Sequence, residues 1–181
     1  MPYPAKTSPE TIRLAALDLL EREGLAGLSM RTLAGQLGLR ASSLYRHYPD
    51  RAALEAALAD EAARGLQVVM EEASAGREGR AALESAGHAY LAFARSRPEL
   101  YALLHAPRPA APAEPGPAKD LWNLVLRLVG GVTGGGDDTA GAVALWAYLH
   151  GFAALERSGL FGLSGPREGF ERGLGALSHG L

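Results

Sequence analysis

Residues Leu28–Arg51, LSMRTLAGQLGLRASSLYRHYPDR, read as two short helices around a sharp corner, and this reading decides the fold. Ser29 can cap the first helix by accepting a hydrogen bond from an orphan N–H of its first turn. Met30, Leu33, Ala34 and Leu37 then recur at i, i+3, i+4 and i+7, which gives one buried face. Gly38 stands where a left-handed backbone ends a helix and a side chain would be strained, and Leu39 fills the corner. The second helix, Ala41 to Tyr48, turns Ala41, Leu44 and Tyr48 inward and leaves Arg40, Ser42, Ser43, Arg46 and His47 outside. Pro49 and the N-cap Asp50 then start the next helix. The pattern predicts a helix-turn-helix over about residues 29–48, with a short polar, basic face of the kind a DNA major groove accepts.

The charge distribution agrees. The chain carries a formal charge of -2, but through Arg51 seven basic residues stand against five acidic ones, +2, so the remainder is -4. Within Arg31–Arg51 the balance is four basic to one acidic, which places the potential that steers toward phosphate on the proposed reading unit. The 181 residues contain no cysteine, so a disulfide framework, a thiolate metal site and thiol chemistry are excluded, and a reducing cytoplasm is the compatible setting. The first residues, MPYPAKTSPE, lack an apolar signal region. Every later apolar run is cut well short of the roughly 18 residues a membrane span needs. The expectation is a cytoplasmic protein that does not enter the membrane.

Outward from the opening stretch, every periodic segment has helical spacing, and the predicted fold is all-α with about nine helices. Ser8 and Pro9 open a first helix whose Ile12, Ala15, Ala16, Leu19 and Leu20 face inward and which Gly24 closes. Asp50 opens a long helix to about Ala73, with Leu54, Leu58, Ala62 and Leu66 on one face and a break at Gly76 and Gly79. These elements suggest an N-terminal DNA-binding domain over residues 1–60 and a C-terminal domain over 61–181. In the latter, helices are expected at about Arg80–Arg95, Pro98–His105, Lys119–Val129, Asp138–Ser158 and Pro166–Ser178. The five prolines of residues 106–118 predict a loop, and Gly130–Gly136 a turn. On the last two helices, a stripe of mostly small residues (Ala144, Tyr148, Gly151, Leu155 and Gly159) and a row Gly169, Gly173 and Ala176 suggest that another backbone packs closely, as at a surface for self-association over about 138–178.

Catalytic and metal chemistry find little support. Tyr101 and His105, and Trp146 and His150, stand at i, i+4, but no set of three or four convergent ligands and no HExxH accompanies them. No nucleophile elbow, phosphate loop or dinucleotide fingerprint occurs. Neither an enzyme nor a cofactor or metal is expected. Tyr90, Phe93, Tyr101, His105, Trp122, Trp146 and His150 lie on helices that should converge, and such a lining suits an apolar or aromatic small molecule; simple core filling is the alternative.

The run EREGLAGLSMRTLAGQLGL followed by ASSLYRHYPDRAALEAAL resembles the DNA-binding domain of the TetR family of bacterial transcriptional regulators, over about residues 8–60. WAYLHGFAALE, with Trp146, His150 and Gly151, is similar to the Trp-His-Gly segment of one TetR C-terminal domain type. The resemblance implies a homodimeric regulator, usually a repressor, that binds a palindromic operator in double-stranded DNA and is released by a small-molecule effector in the C-terminal domain. One helix-turn-helix reads about half a site, so two copies with reading helices roughly 34 to 36 Å apart fit the same expectation.

By the same resemblance, Ser29 and Arg31 match positions that meet the phosphate backbone, and Tyr45, His47 and Arg51 match its other phosphate clamps. Base reading falls to Arg40, Ala41, Ser42, Ser43 and Arg46. Many relatives carry a small polar residue and then lysine where this chain has Arg40 and Ala41, so the positive charge sits about 100° around the helix from its usual place. Arg40 is left as either a phosphate contact or a base reader. Two further readings stay open on the residues alone: a DNA-binding dimer without small-molecule control, and a helical enzyme or interaction module.

Overall fold

The computed structural model describes residues 8–107, 116–135 and 138–181, and among them forms nine α-helices and no strand. They are α1 (Pro9–Gly27), α2 (Met30–Gln36), α3 (Ala41–Leu44), α4 (Arg51–Ser74), α5 (Gly79–Ser96), α6 (Pro98–Leu104), α7 (Pro117–Thr133), α8 (Thr139–Arg157) and α9 (Gly169–Gly180). The chain divides into two compact units, one holding the described residues up to Ala62 together with 99–107, the other residues 63–98 and those from 116 onward. Sequence reading sets a single boundary after residue 60. The structure instead returns α6, all but its first residue, to the N-terminal unit.

In the first unit the local signals hold. Ser8 caps α1 by accepting from Thr11 N–H (3.1 Å) with Pro9 at a position that needs no donor. Gly24, at φ 68° and ψ 178°, breaks the helix, and one further turn, Leu25–Gly27, follows the break. Ile12, Ala16, Leu19, Leu20, Leu28, Leu33, Leu44, Leu54 and Leu58 are buried. Each large aliphatic side chain in such a core contributes about 1.5 to 3 kcal/mol.

In the second unit α5 packs against α7, α8 and α9, and α8 lies against α9. An aromatic group closes the α8–α9 contact: Phe152 and Phe170 have ring centroids 5.0 Å apart, and the Tyr148 hydroxyl donates to the Phe170 carbonyl (2.7 Å). Arg95 holds Glu156 with two hydrogen bonds, 2.8 and 2.6 Å, which join α5 to α8. The Arg95 guanidinium holds the Glu156 carboxyl below the ordinary carboxylate range.

Three boundaries differ from the periodicity. Of the expected proline loop 106–118, residues 108–115 lie outside the described residues, and Pro117 and Ala118 belong to α7, where proline suits the first turn. The expected turn at Gly130–Gly136 starts later. Gly130 and Gly131 are helical, and α7 closes at Gly134, φ 85°, where the N–H groups of Gly134 and Gly135 both donate to the Gly130 carbonyl; residues 136 and 137 lie outside the described residues. The last helix begins at Gly169 rather than Pro166, because Arg167 has φ 48° and cannot sit in a right-handed helix.

Candidate nucleic-acid interface

The helix-turn-helix is set by its caps. Ser29 accepts from Thr32 N–H (3.0 Å) and its hydroxyl also bonds that of Thr32 (2.7 Å), so two polar groups meet at the first turn of α2. Gly38 adopts φ 65°, and the N–H of Leu39 donates to the Ala34 carbonyl (2.9 Å), closing α2 in the left-handed manner expected. The second helix is shorter than predicted, Ala41–Leu44. The chain keeps winding beyond it in tighter turns: His47 and Tyr48 N–H both reach the Leu44 carbonyl at 2.9 Å. Asp50 then caps α4 through Ala53 N–H (2.7 Å). Leu44 is buried, while Ala41 and Tyr48 are only half-buried; the Tyr48 hydroxyl donates to the Pro9 carbonyl at 3.4 Å.

The arginines of this unit sort into two groups. Arg13 pairs with Glu10 (2.6 Å) and with Glu61 of α4 (2.8 Å). Arg22 pairs with Asp18 (3.0 Å), and Gln36 donates to the same Asp18 oxygen (3.0 Å), tying α2 to α1. Arg51 donates to Glu55 (2.5 Å) and to the Leu25 carbonyl (2.9 Å). Arg22 and Arg51 are exposed despite these bonds; Arg31, Arg40 and Arg46 are exposed too but engage no carboxylate or hydrogen-bond acceptor among the described residues. All three lie on or beside α2 and α3. Tyr45 is 49% exposed, and Ser42 and His47 are exposed with them, while Ser29, Ala41 and Ser43 are half-buried.

Free, exposed guanidinium groups on or beside a helix-turn-helix are what phosphate and base edges engage, because no internal carboxylate has to be displaced first. Sequence reasoning assigned Arg51 the same free role and did not foresee Thr32 or the Asp18–Arg22–Gln36 junction. The i, i+4 spacing of Asp18 and Arg22 was the visible signal; Gln36, 18 residues from Asp18, had none.

Of the expected effector lining, Tyr90, Phe93, Trp122, Trp146 and His150 fall in the second unit and Tyr101 and His105 in the first. In the second unit Trp146 meets Tyr90 edge-on (centroids 5.5 Å) and Trp122 (6.4 Å), and Phe93 packs beside Gly65. Burial, with Arg157 nearby, pushes the His150 imidazole below the ordinary histidine range. The Tyr101 and His105 rings, both in the first unit, lie 4.5 Å apart and tilted by 42°. A cleft of about 530 Å³ in the second unit has other walls: Glu71, Ser74, Arg77, Glu78 and Ala82 on one side and Leu124, Arg127, Leu128 and Gly131 on the other. No group of residues among those described is arranged to hold a metal ion, and no helix among them is long and apolar enough to cross a membrane.

Comparison with known proteins places both halves. Residues 12–58 match the family described as bacterial regulatory proteins, tetR family, and residues 83–177 match the tetracyclin repressor-like C-terminal domain, a span that includes Trp146, His150 and Gly151. The chain is 29% identical over 161 residues to the uncharacterized HTH-type transcriptional regulator Rv0681 of Mycobacterium tuberculosis, covering 87% of this chain and 73% of that protein. A protein with unknown function from Rhodococcus sp. RHA1 has the same fold at a TM-score of 0.84, with 27% identity over 100% of this chain and 98% of that one. A TetR variant from Acinetobacter baumannii AYE, solved in complex with minocycline, shares the fold at a TM-score of 0.71 and 20% identity, covering 96% of each chain. With its helix-turn-helix intact and both domains matched, the chain belongs to the TetR family of bacterial DNA-binding transcriptional regulators, a family of regulators and not of enzymes.

Proposed function

We propose that this regulator acts in the cytoplasm as a homodimeric repressor, binds a palindromic operator through α2 and α3, and leaves it when a small molecule enters the C-terminal unit. The observation that carries the DNA half of this reading is the trio Arg31, Arg40 and Arg46, exposed and free of internal partners in the same helix-turn-helix that holds Ser29, Tyr45 and His47. Ser29, Arg31, Tyr45 and His47 meet phosphates. Ala41, Ser42, Ser43 and Arg46 face base edges, with Arg46 reading guanine and Arg40 at the border between the two groups.

Dimerisation is supported by α8. Val143, Ala147, Gly151 and Leu155 follow one another at i+4 along it, with Val143 53% and Leu155 44% exposed, an apolar row that a second copy would cover. A second copy also supplies the second half-site reader, one DNA turn away. The effector would be apolar or aromatic, in keeping with the Tyr90, Trp122 and Trp146 cluster. A coupling of about 1 to 3 kcal/mol between effector and operator would lower affinity roughly 5- to 150-fold.

Selection of bound duplexes from a random pool tests the reading. Recovery of a palindrome is the expected result, and binding that is sequence-blind and lost with modest salt would refute it. Adding small-molecule pools to the selected complex should then release the DNA; a complex that no pool shifts would leave a regulator without small-molecule control.

A further inference from the structure

The arginine that the family pattern casts as a phosphate clamp is already engaged through two of its three nitrogens. Arg51, the first residue of α4, gives Nη2–H to the Leu25 carbonyl (2.9 Å) and Nε–H to the Glu55 carboxylate (2.5 Å). Leu25 belongs to the turn that follows the break in α1 at Gly24. Its carbonyl also accepts from Leu28 N–H (3.3 Å). The far side of the break faces α6: a Cβ at Gly24 would lie 3.3 Å from the Glu99 carboxylate, and the φ of 68° already favours glycine there.

The two residues that Arg51 joins in this way bracket the reading unit. Leu25 precedes α2 and Arg51 follows α3, so the bond joins residues 26 positions apart and closes a loop that contains the whole helix-turn-helix. A carboxylate in contact with the guanidinium also offsets part of the charge a phosphate would feel, unlike the surroundings of Arg31, Arg40 and Arg46. We infer that Arg51 is a positioning residue: it braces the hook at the end of α1 against the start of α4 and thereby fixes the presentation of α2 and α3 to DNA, instead of clamping a phosphate itself. Glu55 is the second half of the brace, because it orients the guanidinium whose other arm reaches the Leu25 carbonyl. Lysine cannot replace arginine in this role, since one ammonium on a flexible stem cannot reproduce the fixed fork that meets a carbonyl and a carboxylate together.

The inference rests on the reading that α2 and α3 select a duplex, and the test separates the two. Affinities of the full chain for the selected duplex and for a random-sequence duplex of equal length are measured for the wild type, Arg51→Lys and Glu55→Gln, with thermal melts establishing that each is folded. A phosphate clamp acts on every sequence alike, so its alteration shifts both affinities together. A brace acts on register. Arg51→Lys, which keeps the charge, should lose about tenfold on the selected duplex, the loss of one charge-assisted hydrogen bond, with no change on the random one. Glu55→Gln should lower the same ratio in the same direction, and reads the brace even where Arg51→Lys does not fold. A ratio that stays at the wild-type value in the folded variants overturns the brace, whereas a wild type that binds both duplexes equally overturns the DNA-selection reading.

Discussion

Replacing Arg46 by alanine separates DNA contact from folding. The side chain is exposed and engages no internal carboxylate or acceptor, so the folded state has little to lose: the stability change should stay within about 0.5 kcal/mol. Its loss at a base edge should cost about 1 to 3 kcal/mol per half-site. A palindrome presents two copies too far apart to interact, so the losses add to about 2 to 6 kcal/mol per complex, with non-specific affinity as the floor. If the guanidinium instead meets a phosphate, each half-site sheds one counterion-releasing contact and the slope of log K against log salt becomes shallower by about 1.8 per dimer. Fluorescence anisotropy on the selected operator across about 50 to 200 mM salt measures both quantities. Unchanged affinity together with an unchanged slope, in a variant whose melt matches the wild type, would remove Arg46 from the interface and refute the argument from free guanidinium groups. Arg13→Ala is the opposite control: paired with Glu10 and Glu61, it should lower stability by about 1 kcal/mol and leave the salt slope alone.

Val143→Arg places a charge in the exposed apolar row of α8 and should convert the dimer to monomer in sedimentation equilibrium while leaving the helical circular dichroism unchanged; a persistent dimer would put the interface elsewhere. Gly173→Ala drives a methyl group into the ring of Tyr148, against which that glycine packs, and should destabilise the chain by about 1 to 3 kcal/mol in urea denaturation, with Tyr148→Ala in the same chain recovering part of the loss. Glu156→Gln removes a carboxylate whose pKa the Arg95 guanidinium lowers on folding. A lowered pKa stabilises the fold above the ordinary glutamate value and ceases to do so as pH falls through the folded one. The variant should therefore be less stable by about 0.5 kcal/mol at pH 7, a surface pair being well screened, and equal to the wild type once pH drops below the carboxylate range.

What could be read before the structure was what neighbouring residues decide among themselves. Ser29, Gly38 and Asp50 each act within a few residues of their own position, and the caps they form match the expectation. Glycine shows where local reading stops. A row of glycines says that something approaches closely, not what. At Gly173 the approaching group is Tyr148 of the same chain, so the expected second backbone is not needed there. At Gly79 and Gly131 two backbones do come together, the Gly131 carbonyl lying 3.6 Å from where a Cβ of Gly79 would be, and this is why α7 runs through glycines that read as a turn. The placement of α6 was out of reach for a related reason: a single cut along the chain cannot represent a segment that leaves one unit and returns to it.

The arginines carry the same lesson into function. Charge counting treats Arg31, Arg40, Arg46 and Arg51 as equals, because a sequence records the charge and not the partner. The acceptor that distinguishes Arg51 is a backbone carbonyl, which every residue possesses and no pattern marks, so only the fold reveals it. The difference changes what each residue can do. A guanidinium without a partner loses only water when it meets DNA, and its contribution appears as affinity and salt dependence at a phosphate and as discrimination at a base edge. One that closes the loop around the reading unit contributes to how well the correct sequence is told from the wrong one, since contacts made by α2 and α3 count only when both helices arrive in register. On this reading Arg31, Arg40 and Arg46 act by touching DNA and Arg51 by holding the helices that do, so a change at Arg51 should alter discrimination while leaving non-specific affinity in place.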